Sequence, residues 1–153
     1  MEKIESFKID HLNLYSGLYV SRIDSFNGAT ITTFDLRFVA PNREVPLEIP
    51  AMHTLEHLGA TYFRNSKIKE QIVYFGPMGC RTGFYLLLSN RWNSESLYSY
   101  VLEFLDYVVS FEGEIPGATA KECGNYKEQD LSKAKEYAKK YKQDLENYKR
   151  FKY

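Results

Sequence analysis

Residues 31–40 follow a period of two, with hydrophobic positions gathered on one side. Thr32, Phe34, Leu36, Phe38 and Ala40 fall on one side and Ile31, Thr33, Asp35, Arg37 and Val39 on the other, which is the period of a β-strand. Asp35 and Arg37 therefore share a face. Residues 18–24 predict a second strand, and Asn27-Gly28 between the two predicts a hairpin turn because both residues tolerate positive φ. The first forty residues thus read as strands. After a loop punctuated by Pro41, Pro46 and Pro50, the spacing of Met52, Leu55, Leu58, Ala60 and Tyr62 predicts a helix over 51–64. Two short β-prone runs, 71–75 and 84–89, flank the glycine-rich connection Gly76-Pro77-Met78-Gly79-Cys80-Arg81-Thr82-Gly83. Leu97, Val101, Leu105 and Val108 then mark a helix capped by Asn93 or Ser94 and running to Ser110. A loop through Gly113, Pro116 and Gly117 leads to Glu122-Cys123-Gly124-Asn125. Asp130 opens a last helix with Leu131, Ala134, Ala138, Tyr141, Leu145 and Tyr148 along one face. Hairpins mixed with separate helices predict an α+β fold, an antiparallel sheet with helices packed against it, in a single domain over residues 1–153.

Composition narrows the partners. The 20 basic and 20 acidic residues cancel, so the chain lacks the global basic field that drives binding to nucleic acid or an anionic membrane, and neither is expected as a partner. Ten Lys/Arg against six Asp/Glu over residues 121–153 read as the solvated back of the last helix. The N-terminal residues lack a signal-peptide pattern, and the apolar run 84–88 is far too short to span a bilayer, so a cytoplasmic protein is expected. In that reducing compartment the two cysteines, Cys80 and Cys123, serve to bind metal, react or pack. The 13 tyrosines and the 16% aromatic content suggest packing and nothing more specific.

The most specific local pattern is His53-Thr54-Leu55-Glu56-His57, H-x-x-E-H inside a predicted helix. Helical residues advance about 100° each, so positions four apart lie one turn apart on one face and both imidazoles can reach one metal ion. Glu56 projects beside them, placed to act as a base without being a ligand. Two surface histidines would look similar, but the motif takes two of only three histidines in the chain. A catalytic centre needs a third ligand and an open position. Cys123 is the best candidate, and a thiolate with two imidazoles suits zinc or ferrous iron rather than magnesium or calcium. His11 or a carboxylate such as Glu128 remains an alternative third ligand. Cys80, left without a metal to hold, becomes a nucleophile or proton shuttle if a cation or Arg81 lies near it, or otherwise a packing residue.

Glu5-Ser6-Phe7, Asp10-His11, Phe34-Asp35-Leu36-Arg37-Phe38, Ala40-Pro41-Asn42-Arg43, the H-x-x-E-H segment, Pro77-Met78-Gly79-Cys80-Arg81-Thr82-Gly83-Phe84-Tyr85 and Glu122-Cys123-Gly124 occur in this order. Together they resemble the signatures of the S-ribosylhomocysteine lyase (LuxS) family over most of residues 5–135. The resemblance implies one divalent ion per chain, ferrous iron first and zinc second, held by His53, His57 and Cys123, with Glu56 and Cys80 as the acid/base pair. It implies cleavage of S-ribosylhomocysteine to homocysteine and 4,5-dihydroxy-2,3-pentanedione, the autoinducer-2 precursor, by two aldose-ketose isomerisations and a β-elimination. It further implies a homodimer with active sites at the subunit interface and substrate contacts from Ser6, His11, Asp35 and Arg37, with Arg64 a candidate partner for the substrate's carboxylate or otherwise a surface arginine.

Two departures stand out. Thr33 occupies a position where the family commonly has Lys, and Tyr74-Phe75-Gly76 stands where it commonly reads Asp-Ile-Ser. The carboxylate expected near the substrate's ammonium group is thereby replaced by Tyr74. The rival reading is a metallopeptidase of the H-x-x-E-H kind with Glu as third ligand, and the identity of that ligand separates the two. A purely structural metal would need a fourth protein ligand, and only three convincing ones are present.

Overall fold

The computed structural model describes residues 2–153; Met1 and the side chain of Glu5, first residue of the Glu5-Ser6-Phe7 signature, lie outside the described residues. Strands β1 (Gly17–Phe26) and β2 (Ala29–Arg37) form the expected hairpin. Asn27 (φ 48°) and Gly28 (φ 85°) are both left-handed, the backbone that a two-residue turn between twisted strands requires. Strands β3 (Ile72–Pro77) and β4 (Gly83–Ser89) form a second hairpin, and β4 pairs antiparallel with β2, giving the order β1-β2-β4-β3.

The first sixteen residues depart from the strand reading. Glu5–Lys8 is a single helical turn, α1, and strand pairing begins only at Gly17. Four residues carry too little periodicity to announce a helix, and no side chain caps this one.

Helices α2 (Ile49–Asn65), α3 (Ser94–Ser110) and α4 (Leu131–Tyr148) complete the α+β domain. Pro50 in the first turn of α2 costs no hydrogen bond there. Asn93 and Ser96 form a reciprocal capping box on α3, and the Asp130 side chain accepts from the Lys133 N–H at the start of α4. The stripe on α4 buries Ala134, Ala138, Tyr141 and Leu145; Leu131 is half-buried and Tyr148 is exposed, since the helix outruns the core at both ends. Its lysines pair with carboxylates, Lys140 with Glu44 and Asp144 and Lys142 with Asp106, as a solvated face does.

Phe34, Leu36, Phe84 and Leu86 face the helices in one core with Leu55, Leu58, Val101 and Leu105. Much of the aromatic content is accounted for here. Phe38 stacks on Tyr141 and Phe75 on Phe84, with Phe63 and Phe104 alongside, and the Tyr141 hydroxyl donates to the Gly17 carbonyl at 2.7 Å. β2 is central and buried on both faces from Thr32 to Arg37, which sinks Asp35 and Arg37 as well.

Candidate metal centre and the neighbouring cavity

His53 and His57 rise one turn apart from α2, and the loop 111–130 brings Cys123 to them. The two Nε2 atoms are 3.0 Å apart and Cys123 Sγ lies 3.4 Å from His53 Nε2, with all three donor atoms inside 4.8 Å of one another. His57 Nδ1 donates to the Pro116 carbonyl at 2.7 Å and His53 Nδ1 to the Glu128 carbonyl at 2.9 Å, a shorter contact than the 3.3 Å one with the Gln129 amide. A carbonyl only accepts, so each neutral ring carries its proton on Nδ1 and turns a bare Nε2 lone pair toward the other. Two lone pairs at that distance repel, and a cation shared with the thiolate relieves them. The donor set therefore fits a divalent ion of the zinc or ferrous type, with carbonyls as outer orienting groups.

The loop is shaped for this. Gly117 (φ 73°) passes so close to His57 that a Cβ would stand 3.2 Å from Nδ1. Cys123 N–H donates to the Thr119 carbonyl, and the Asn125 N–H points at Cys123 Sγ at 3.4 Å, a donor suited to a thiolate. Glu128, the alternative ligand, offers His53 its carbonyl while its carboxylate accepts from Asn125 Nδ2 at 2.6 Å. The other alternative, His11, lies elsewhere. Cys123 is thus the donor gathered with the histidines, and the geometry a Glu-ligated peptidase needs is not the one found.

Glu56 is half-buried and, among the described residues, has no hydrogen-bond or ion-pair partner; with His57, Pro116 and Gly117 it lines a recess of about 260 Å³. Ser6, His11, Arg37 and Cys80 line a different cavity of about 640 Å³, together with Thr82 and Tyr85. His11 Nδ1 donates to the Ile9 carbonyl, and Nε2 has no hydrogen-bond partner among the described residues. Cys80 is exposed at the tip of the β3–β4 hairpin, whose loop is pinned by Met78 N–H to Gly83 O, Arg81 N–H to Met78 O and Leu47 N–H to Arg81 O.

Asp35 is 1% exposed and does not line the cavity; it reaches it only through Arg37, whose Nη2 donates to Asp35 Oδ2 at 2.5 Å. Burial works against charge on Arg37, but Asp35 more than offsets it and holds the guanidinium above its ordinary value. Arg64 is not brought to this group. It sits exposed on the last turn of α2 and donates to the Val73 carbonyl. The departures cluster instead: Tyr74 folds over residue 76, where a Cβ would meet Tyr74 Oη at 1.9 Å, so the tyrosine and Gly76 belong together. Thr33, Tyr74, Tyr85 and Ser6 line a cavity of about 240 Å³ in which Thr33 Oγ1 has no partner among the described residues.

An antiparallel sheet backed by helices, with a His-His-Cys donor set between a helix and a loop that could hold a metal ion, defines a small α+β protein with a candidate metal centre. Comparison with known proteins gives the particular lineage. The family model described as S-ribosylhomocysteinase (LuxS) matches residues 4–151. The S-ribosylhomocysteine lyase of Finegoldia magna is 51% identical over 150 residues, covering 98% of this chain and 96% of the relative. That of Borreliella afzelii is 51% identical over 150 residues, covering 97% and 96%, and that of Desulfotalea psychrophila 52% over 142, covering 92% and 89%. The chain belongs to the S-ribosylhomocysteinase (LuxS) family.

Proposed function

We propose that residues 1–153 work as one metal-dependent catalytic domain that cleaves S-ribosylhomocysteine to homocysteine and 4,5-dihydroxy-2,3-pentanedione, the autoinducer-2 precursor. The observation that carries this is the pair of facing imidazole lone pairs closed by the Cys123 thiol, in a chain of this family. His53, His57 and Cys123 hold the ion, ferrous iron first by the family resemblance and zinc second by donor chemistry. When bound, it supplies Lewis-acid polarisation of the substrate's oxygens.

The chain's own residues move the protons. In each isomerisation a proton leaves the hydroxyl-bearing carbon beside the carbonyl and is delivered to the former carbonyl carbon, while the hydroxyl proton passes to the former carbonyl oxygen. In the elimination a proton leaves the carbon α to the carbonyl, the C–S bond at the β carbon breaks, and homocysteine thiolate departs and is protonated. Glu56, an unpartnered carboxylate beside His57, and Cys80, a thiol hydrogen-bonded to Thr82, serve as the acid/base pair. Ser6, His11 and Arg37 bind the substrate around Cys80, with Asp35 acting through Arg37. Anaerobic incubation of the purified protein with S-ribosylhomocysteine and titration of released thiol tests the reading; no homocysteine above the uncatalysed level would overturn it.

We further assign a homodimer with two shared sites. In its support, Cys80 and His11 line one cavity of a chain while Glu56 and His57 line another, and a substrate that needs both sets meets them where two chains face each other. Cys80→Ala and Glu56→Gln chains, each inactive alone, should regain about a quarter of wild-type activity when mixed under subunit exchange, because half the dimers then hold one intact site of two. Verified exchange without recovery would reject the shared site. None of the described helices is long and apolar enough to cross a membrane. On the family reading and the balance of 20 basic and 20 acidic residues, we place the protein in the cytoplasm, acting without nucleic acid or membrane partners.

A further inference from the structure

The segment that follows α4 returns across β1. Leu18 N–H donates to the Arg150 carbonyl, Phe151 packs edge-on against Tyr98, and the Tyr153 ring stacks on Tyr19 at 4.6 Å. Tyr19, Asp35 and Tyr85 are cross-strand neighbours on β1, β2 and β4, so a ring laid on Tyr19 brings its hydroxyl over Asp35. Tyr153 Oη donates to Asp35 Oδ2 at 3.0 Å.

We propose that Tyr153 is a positioning residue for the Cys80 side of the site, holding Asp35 so that Arg37 is presented to Thr82 and, through it, to the Cys80 thiol. Each link has a donor and an acceptor in the right sense. Tyr153 O–H and Arg37 Nη2–H both donate to Asp35 Oδ2, Arg37 Nη1–H donates to Thr82 Oγ1 at 2.5 Å, and Thr82 Oγ1 lies 3.1 Å from Cys80 Sγ. With one of its two lone pairs accepting from Arg37, the threonine hydroxyl is free to turn its proton to sulfur, a hydrogen bond that any thiolate accepts more strongly than a thiol.

Tyr153 matters because Asp35 has little else. Asp35 Oδ1 and Arg37 Nε have no partner among the described residues, so the carboxylate has only the two hydrogen bonds to Oδ2, and Tyr153 is one of them. Burial, and then Asp35 itself, push the Tyr153 hydroxyl far above the ordinary phenol range, so it remains a donor at every working pH. Without it, Asp35 draws harder on Arg37 and away from Thr82.

The inference rests on the role given to Cys80 in the lyase reading, and its test is separable from that reading. Tyr153→Phe keeps the ring on Tyr19 and removes only the hydroxyl. The rate of alkylation by iodoacetamide is followed against pH on the peptide carrying Cys80, resolved from the one carrying Cys123. The charged and titratable groups around the thiol are Arg37 from β2, Tyr85 from β4, Arg81 beside it, and His11, Arg43 and Glu44 across the cavity; all are unchanged by the substitution. We expect the alkylation midpoint to move up by several tenths of a pH unit and kcat to fall about two- to tenfold with KM nearly constant. Metal content should stay at the wild-type value, and the melting temperature should fall by only a few degrees, the cost of one hydrogen bond to a buried carboxylate. In an Asp35→Asn background the same substitution should change neither quantity further. An unmoved midpoint and kcat would overturn the proposal, as would an unchanged midpoint with a loss of melting temperature, which marks a purely structural contact. Failure of the wild-type protein to release thiol would instead reject the lyase reading and leave the alkylation result standing.

Discussion

Cys123→Ala should purify with less than about a tenth of the metal carried by the wild type, which should hold close to one divalent ion per chain. Among the described residues the Cys123 sulfur is the one ligand atom that the 111–130 loop adds to the helical pair, gathered with His53 and His57 within 4.8 Å. Without it, only two half-buried imidazoles of α2 remain and metal affinity collapses. The loop is also tied to α2 through Pro116 and Glu128, whose carbonyls accept from His57 and His53, so a bound ion stabilises an arrangement already present. With free metal at about a hundred times its dissociation constant, that coupling contributes about 2.7 kcal/mol. Chelation should therefore lower the melting temperature of the wild type and leave that of Cys123→Ala unmoved. Elemental analysis of both proteins decides it: equal metal content would strike Cys123 from the ligand set.

Much of this centre is legible in the sequence because helical periodicity is rigid. Positions 53 and 57 must fall on one face once residues 51–64 form a helix, and the caps at Asn93 and Asp130 follow from side chains that compete for backbone N–H groups. What brings Cys123 to the histidines is a loop of irregular turns, whose course depends on contacts such as Gly117 against His57 that no periodicity encodes. Resemblance to a family named the third ligand; spacing alone left three candidates open. The alternation over 31–40 placed Asp35 and Arg37 on one face but was silent on what covers it. A buried ion pair follows from the central position of β2 and from the returning segment at Tyr153, both consequences of tertiary arrangement. Arg64 has the opposite history. A lone arginine near a helix end suits an anion as readily as a neighbouring carbonyl, and the turn into β3 supplies the carbonyl of Val73. A signal for Tyr153 did exist: an aromatic beyond the last helix whose stripe it does not continue.

Glu56→Gln and Cys80→Ala should each keep the ion and lose about 100- to 10,000-fold in turnover. Neither side chain belongs to the donor cluster, so metal content reports folding and ligation independently of chemistry. Glutamine preserves the shape of Glu56 while removing the charge that accepts a proton, and that carboxylate has no partner among the described residues to be left stranded. Cys80 is exposed at a hairpin tip held by backbone hydrogen bonds, so its truncation opens no cavity and should change stability by less than about 0.5 kcal/mol. The two losses should also differ in kind. Removing Cys80 frees Thr82 from the thiol and leaves Arg37 in place on the cavity wall, so KM should move little, whereas removing the Glu56 charge beside His57 alters the field at the metal-ligand cluster. A drop smaller than about tenfold in either variant, with metal retained, would mean that its proton is carried by another group. Of the residues lining the Cys80 cavity, His11 would be next in line, with Nδ1 committed to the Ile9 carbonyl and Nε2, without a hydrogen-bond partner among the described residues, able to take one.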